Sequence, residues 1–177
     1  MRILGGRLGG RIVKPPMKKW PTRPTTDIAK EALFNILANQ IHFEEVSVLD
    51  LFGGTGMISL EFVSRGCDDV TYVDRYHKCV RWVEQQAVFF DIDDDFKIVK
   101  QNVKSFITSS ERKYDIIFAD PPYDLVWITE LPNMCLDMLE SEGVLIIEHG
   151  ADTSYLNHER LDRTREYGQT RFSFFRM

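Results

Sequence analysis

The sequence predicts an open α/β fold: a mostly parallel sheet with helices on its faces and an antiparallel hairpin at its C-terminal edge. Three observations carry this. The apolar run Val46-Ser47-Val48-Leu49-Asp50-Leu51-Phe52 has strand length and is followed by Gly53-Gly54-Thr55-Gly56 and a helical stretch, Met57 to Val63, the order strand, glycine loop, helix. Tyr114-Asp115-Ile116-Ile117-Phe118-Ala119 is a second buried run, stopped by Pro121 and Pro122, which cannot donate to a sheet ladder. Acids stand where strands end, at Asp74 and Asp120, and in open α/β sheets ligands bind beyond the carboxyl ends of the strands.

A chain of 177 residues, 44% hydrophobic and 28% charged, suits one soluble domain with a sizeable core. No apolar stretch approaches the roughly 20 residues of a membrane span, and the N-terminus has no signal-peptide h-region. Cys67, Cys79 and Cys135 are odd in number and form no CxxC pair, which implies a reducing cytosol and a cytoplasmic protein. The histidines show no ligand spacing, so no metal site is expected.

Net charge is −5, yet residues 1–30 carry eight basic side chains against Asp27 alone, a net +7 that leaves −12 on the remainder. Such asymmetry points to a nucleic-acid-binding arm on an acidic body. The arm is expected over residues 1–22, with the main domain over 23–177. Its glycine-punctuated start, through Arg11-Ile12-Val13, predicts a short β-hairpin outside the domain core. Pro15, Pro16, Pro21 and Pro24 then favour an extended chain. Trp20 either stacks on a base or tacks the arm to the body.

Along the chain, Thr25 or Thr26 caps a helix running from Asp27 to Leu37. Ile28, Ala32, Leu33, Ile36 and Leu37 form its apolar face, and Lys30 reads as a solvated charge. Asp69–Asp74 is the second strand; its terminal acid grips ribose hydroxyls or caps the next helix. That helix spans Tyr76 to Phe90, with Val80, Val83, Ala87 and Phe90 inward. Asp91 to Asp95 is an acidic turn. Phe96–Val99 is strand three, and Asn102 beyond it either touches a base or caps a helix near Val103–Thr108. A helix is expected from Trp127 to Leu139, kinked or restarted at Pro132. Gly143–Glu148 is strand five; Arg163–Tyr167 and Thr170–Arg176 form the antiparallel pair.

The Asp120-Pro121-Pro122-Tyr123 turn offers a carboxylate, the Pro121 carbonyl and an aromatic ring on one stiff exit. That set suits a planar group carrying an NH2, with two oxygens accepting its two N–H bonds and the ring stacking on its plane. As a plain structural turn it would only cap a helix and bury Tyr123. A dinucleotide fingerprint is incomplete, because Ser59 stands where the third glycine belongs. Asp50, three residues before the loop, suits a cationic ligand better than a pyrophosphate.

In this order the motifs resemble the Rossmann-like class I S-adenosylmethionine-dependent methyltransferases, whose sheet has seven strands. Asp50-x-Phe52-x-Gly54-x-Gly56 resembles their first motif, Asp74 their ribose-binding acid, and Asp120-Pro121-Pro122-Tyr123 the catalytic motif of enzymes that methylate planar amino nitrogens. The opening Met1-Arg2-Ile3 with its Gly-Gly-Arg continuation, Arg23-Pro24-Thr25-Thr26, Ala32-Leu33-Phe34-Asn35-Ile36-Leu37, Ser64-Arg65-Gly66 and the closing Tyr167-Gly168-Gln169-Thr170 are similar to the RsmD family across nearly the whole chain. Asp74 stands for the commoner Glu, Asn102 for the usual Asp, and Gln86 for the usual Asn.

The resemblance implies methyl transfer from S-adenosylmethionine to N2 of one guanine (position 966) of 16S rRNA in the small ribosomal subunit, by a protein expected to be monomeric. It implies Asp50, Phe52, Gly53, Gly54, Gly56, Asp74, Asn102, Val103 and Asp120 at the cofactor, and Asp120, Pro121, Pro122 and Tyr123 at the reacting base. Arg2, Arg7, Arg11, Lys14, Lys18, Lys19 and Arg23 are expected on RNA phosphates. DNA adenine-N6 methyltransferases share the catalytic motif but need a target-recognition region, for which the separation of 46 positions between Asp74 and Asp120 and the 54 residues after Tyr123 leave no room. Protein-glutamine methyltransferases usually begin the motif with Asn. A non-catalytic RNA-binding assembly factor on this fold is the remaining alternative.

Overall fold

The computed structural model describes residues 1–15 and 25–177. Seven strands form one sheet: β1 (Val48–Leu51), β2 (Val70–Asp74), β3 (Phe96–Lys100), β4 (Tyr114–Ala119), β5 (Leu139–His149), β6 (Leu161–Tyr167) and β7 (Thr170–Arg176). Their order is β3-β2-β1-β4-β5-β7-β6. The first five run parallel, and β7 lies antiparallel between β5 and β6. β1, flanked by β2 and β4, is the point where the strand order reverses, which opens a crevice at its carboxyl end. The expected seven-stranded sheet with its C-terminal antiparallel hairpin is the observed one.

Strand residues alternate between two cores. Val48, Val70, Tyr72, Ile116, Phe118, Val144 and Ile146 join one cluster with α1 (Asp27–Ala38), α2 (Met57–Ser64) and α3 (His77–Phe90). Leu49, Leu51, Val73, Ile117, Ala119, Leu145 and Ile147 join the other with α4 (Val103–Ser109) and α5 (Leu131–Leu136). Both faces of the parallel strands are covered, which is why they read as continuous apolar runs.

Several expectations are corrected. The helix expected from Trp127 is shorter, because proline fits only the first helical turn, so α5 begins at Leu131 with Pro132 just inside it. β5 starts earlier, since Leu139 pairs with Tyr114 across an irregularity in the ladder. On α1 the buried positions are Ala29, Lys30, Leu33, Phe34 and Leu37, whereas Ile28 is exposed. Lys30 is not a solvated charge but 1% exposed; its ammonium donates to the Arg2 carbonyl and lies 3.8 Å from Glu61. A long apolar stem with a satisfied head occupies a core position that a hydrophobicity pattern assigns to solvent.

The N-terminal residues are likewise part of the body. Ile3, Leu8 and Val13 are buried in the first core, and the hairpin reduces to one bridge, Arg2 to Ile12. Glu61, fully buried, accepts the amides of Leu4 and Gly5, each at 2.8 Å, and the Arg65 guanidinium at 2.9 and 3.0 Å. Gly6 sits at φ +72°, where a Cβ would lie 1.7 Å from the Ser64 carbonyl oxygen. The expected domain boundary at residues 22 and 23 lies outside the described residues.

Candidate active site

Four carboxylates share one phase of the sheet. Continuing the alternation that buries Val48, Tyr72, Phe118 and Ile146 beneath α1–α3 places Asp50, Asp74, Asp120 and Glu148 on that same face. Three of them, Asp50, Asp74 and Asp120, line a cavity of about 550 Å3 at the carboxyl ends of the parallel strands, a size within the usual range for small-ligand sites.

The glycine loop is one wall of this cavity. Phe52, Gly54 and Gly56 all take positive φ, 60°, 52° and 73°, a conformation costly for Phe52. A Cβ on Gly53 would stand 2.3 Å from the Tyr72 ring, so only glycine lets the loop pass so close. Tyr72 in turn donates to the Gly54 carbonyl at 2.8 Å. Asp74 accepts the amides of Gly54 at 2.9 Å and Tyr76 at 2.7 Å. Asp74 is not the cap of α3, which is Tyr76; it orders the turn before that helix, and its remaining lone pairs stay on the cavity wall. Asn102 also does two things, accepting the Ser105 amide at 3.3 Å as the cap of α4 and lining the cavity beside Val103.

Asp50 accepts the amide and hydroxyl of Ser59 at 3.2 and 2.5 Å. Burial pushes its carboxyl up to about 7 against those two bonds, and the nearby Asp74 charge adds to the rise. Asp74 is also raised by burial, opposed by its backbone bonds. Asp120 is raised well above the usual carboxylate range, first by burial, then by Glu148 and Asp50. Carboxylates that resist ionisation together are relieved by a cation among them.

The Asp-Pro-Pro-Tyr turn, leaving β4 beside β1, is another part of the lining. Asp120 donates its amide to the Leu51 carbonyl at 3.3 Å, tying the turn to β1, and Leu125 donates to the Pro122 carbonyl at 2.9 Å. Pro121 is buried, while Pro122 and Tyr123 are exposed, Tyr123 by 53%. Tyr123 is thus not a core residue; its ring borders Gly150 and the cavity.

Sequence reasoning missed Thr25, Tyr76, Leu125 and Trp127 on the lining. Trp127 lies before α5 rather than within a helix; its ring meets Phe52 at 6.1 Å and lies beneath the Lys104 ammonium at 5.4 Å. Glu148 was also missed, although an acid at the end of a strand is the same signal that singled out Asp74.

The basic residues divide. Arg2, Arg7, Arg11 and Lys14 are exposed on the N-terminal segment. Arg7 pairs with Asp95 at the amino end of β3, and its amide donates to the Ser64 carbonyl at the far end of α2. The Arg11 guanidinium sits 5.9 Å over Phe90, the last residue of α3. Because α2 and α3 begin beside the cavity, Arg7 and Arg11 lie at the other end of the sheet, about 12 Å away for the eight residues of α2. Lys18, Lys19, Trp20 and Arg23 lie outside the described residues. Among the described residues, no helix is long and apolar enough to cross a membrane, and no His, Cys, Asp and Glu group could hold a metal ion.

The residues present fit S-adenosylmethionine. Asp50 and Asp120 suit its positive charge, Asp74 its ribose hydroxyls, Asn102 and Val103 its adenine, and the glycine loop allows close approach of the backbone.

The sequence profile of the family described as Conserved hypothetical protein 95 matches residues 1–176. Ribosomal RNA small subunit methyltransferase D of Escherichia coli K12 is 30% identical over 151 residues, covering 84% of this chain and 74% of that protein. YlbH of Bacillus subtilis is 29% identical, covering 84% and 82%. Among solved structures, Escherichia coli yhhF superposes with a TM-score of 0.84 at 26% identity, covering 99% of this chain and 96% of that one. A hypothetical protein of Thermus thermophilus gives 0.86 at 23%, covering 100% and 99%, a likeness of fold. Matched from residue 1 to residue 176, with glycine loop, Asp74 and Asp-Pro-Pro-Tyr turn around one cavity, the chain belongs to the RsmD-like family of S-adenosylmethionine-dependent rRNA methyltransferases.

Proposed function

We propose that this chain methylates the exocyclic N2 of a guanine in 16S rRNA of the small ribosomal subunit, acting in the cytoplasm as a monomer. The observation that carries this reading is the Asp120–Tyr123 turn facing the glycine loop and Asp74 across one cavity. S-adenosylmethionine, when bound, supplies an electrophilic methyl group on a sulfonium. The acceptor N2 is a weak nucleophile, because its lone pair is delocalised into the purine ring. Asp120 and the Pro121 carbonyl accept its two N–H bonds, favour a pyramidal nitrogen and aim the lone pair into the cavity. Orientation of this kind contributes several kcal/mol, and fixed acceptors add more as positive charge develops on nitrogen.

Asp120 then takes the proton released by the methylated nitrogen, a role its raised affinity for protons supports. Tyr123, half exposed at the rim, provides the face on which an unstacked base rests. The exposed basic side chains of residues 1–15, with Lys18, Lys19 and Arg23, supply sequence-independent affinity for RNA phosphates.

The test is tritiated methyl transfer to small subunits lacking the modification, followed by mapping of the labelled nucleotide. Label at N2 of one guanine is expected. Label in DNA or protein, or none from a chain that binds the cofactor, overturns the reading.

A further inference from the structure

Glu148 has no task in the chemistry above, yet it is 3% exposed at the site. It follows Ile147, which pairs with Ala119, so Glu148 and Asp120 stand level at the tips of neighbouring strands. Keeping a carboxylate out of water beside Asp120 is costly unless it is hydrogen-bonded. Its Oε2 accepts the Thr25 hydroxyl at 2.6 Å, a contact between residues 123 apart in sequence. Thr25 is available for this because Thr26, not Thr25, caps α1 through the Ala29 amide at 3.2 Å. Thr25 also lines the cavity.

We infer that Glu148 is a positioning residue, which holds Thr25, two residues before α1, as the cavity wall beside Asp120. No covalent or proton-transfer step is assigned to it. The wall stands on the β5 side of the catalytic turn, away from the glycine loop and Asp74, so it guides the acceptor base rather than the cofactor. The inference rests on the rRNA reading proposed above.

The test compares the native chain with Thr25→Val, Thr25→Ser, Glu148→Ala and the double variant Thr25→Val/Glu148→Ala. Steady-state methyl transfer to unmodified small subunits is measured together with S-adenosylmethionine binding by calorimetry. Thr25→Val is expected to lower kcat/KM for the subunit about tenfold, while Thr25→Ser keeps at least about a third of the native value and the cofactor Kd stays within about threefold. The double variant is expected to lose no more than the worse single one, since both remove the same contact.

Thr25→Val at native kcat/KM, Thr25→Ser as impaired as Thr25→Val, losses that multiply in the double variant, or a cofactor Kd that moves with activity would each overturn the inference. Should Glu148→Ala fail to fold, the Thr25 pair decides alone. A native chain that labels no rRNA removes the rRNA reading and this inference with it, a result distinct from normal labelling by Thr25→Val.

Discussion

The Ser59 hydroxyl donates to Asp50 Oδ2 at 2.5 Å, with both side chains sealed from solvent. Where a dinucleotide-binding loop has its third glycine, this chain places a donor that anchors a carboxylate beneath the cavity. Ser59→Ala removes the hydroxyl and leaves the Ser59 amide as the donor shown on that oxygen. Loss of one hydrogen bond to a buried acid costs about 1–3 kcal/mol. Urea unfolding of the variant is expected to show a lower midpoint with unchanged slope, and cofactor binding is expected to weaken.

Asp50 also gives stability a pH dependence. Its folded value of about 7 exceeds the unfolded 3.8, so the folded chain holds the proton more tightly. Stability from this group is full below about pH 4 and is lost as pH rises towards 7, by up to about 4 kcal/mol. Asp120 contributes with the same sign. Denaturation of Asp50→Asn across pH 4 to 7.5 is expected to show a flatter loss than the native chain. Saturating S-adenosylmethionine is expected to offset the native loss, because a cation favours the ionised acid.

Asp120→Ala is expected to abolish methyl transfer while cofactor binding, which Asp50 also supports, survives and weakens far less than turnover. In the native chain, transfer rises with pH as Asp120 ionises, at a pH above the ordinary carboxylate range of about 4. Glu148 and Asp50 both raise Asp120, so Glu148→Gln moves that rise to lower pH. A rate profile that Glu148→Gln leaves unmoved would rule out Asp120 as the ionising acceptor.

Glu61 holds together α1, α2 and the N-terminal segment. Glu61→Ala leaves the Lys30 ammonium without its buried carboxylate, with only the Arg2 carbonyl and the exposed Asp27 near it, and frees the amides of Leu4 and Gly5. Breaking such a buried set from one side costs about 3–5 kcal/mol. Lys30→Met is expected to cost less, because Glu61 keeps Arg65 and two amides. Thermal melts of the two variants distinguish these outcomes.

Arg7 is neutralised by Asp95, whereas Arg11 rests on an aromatic ring. Charge reversal at Arg11 is therefore expected to weaken rRNA affinity more than reversal at Arg7. For Arg11→Glu, the slope of log affinity against log salt is expected to fall by about 1. Filter binding at several salt concentrations reads this directly, and equal slopes for native chain and variant would remove Arg11 from the RNA surface.

The parallel strands, the glycine loop and the Asp-Pro-Pro-Tyr turn are legible in the sequence because local chemistry dictates them; the order of the strands in the sheet is not. Pro121 and Pro122 end β4 wherever it packs, and runs such as Tyr114–Ala119 are apolar throughout because both faces are covered. Lys30, Glu148 and the N-terminal residues were not legible, because their roles depend on partners far along the chain. A buried lysine is stable only where a carboxylate meets it, and the separation of 31 positions between Lys30 and Glu61 conceals that meeting.

The sequence by itself determined the fold class, the glycine loop and the acids at strand tips. Tertiary structure alone decided that Asp50, Asp74, Asp120 and Glu148 share one face, through strand register and a period of two. It also decided that Thr25 closes onto Glu148 while Arg7 and Arg11 lie at the opposite end of the sheet. Charge counts along a chain carry no direction in space; the hydrogen bonds that Ser64 and Glu61 accept from the N-terminal segment supply it.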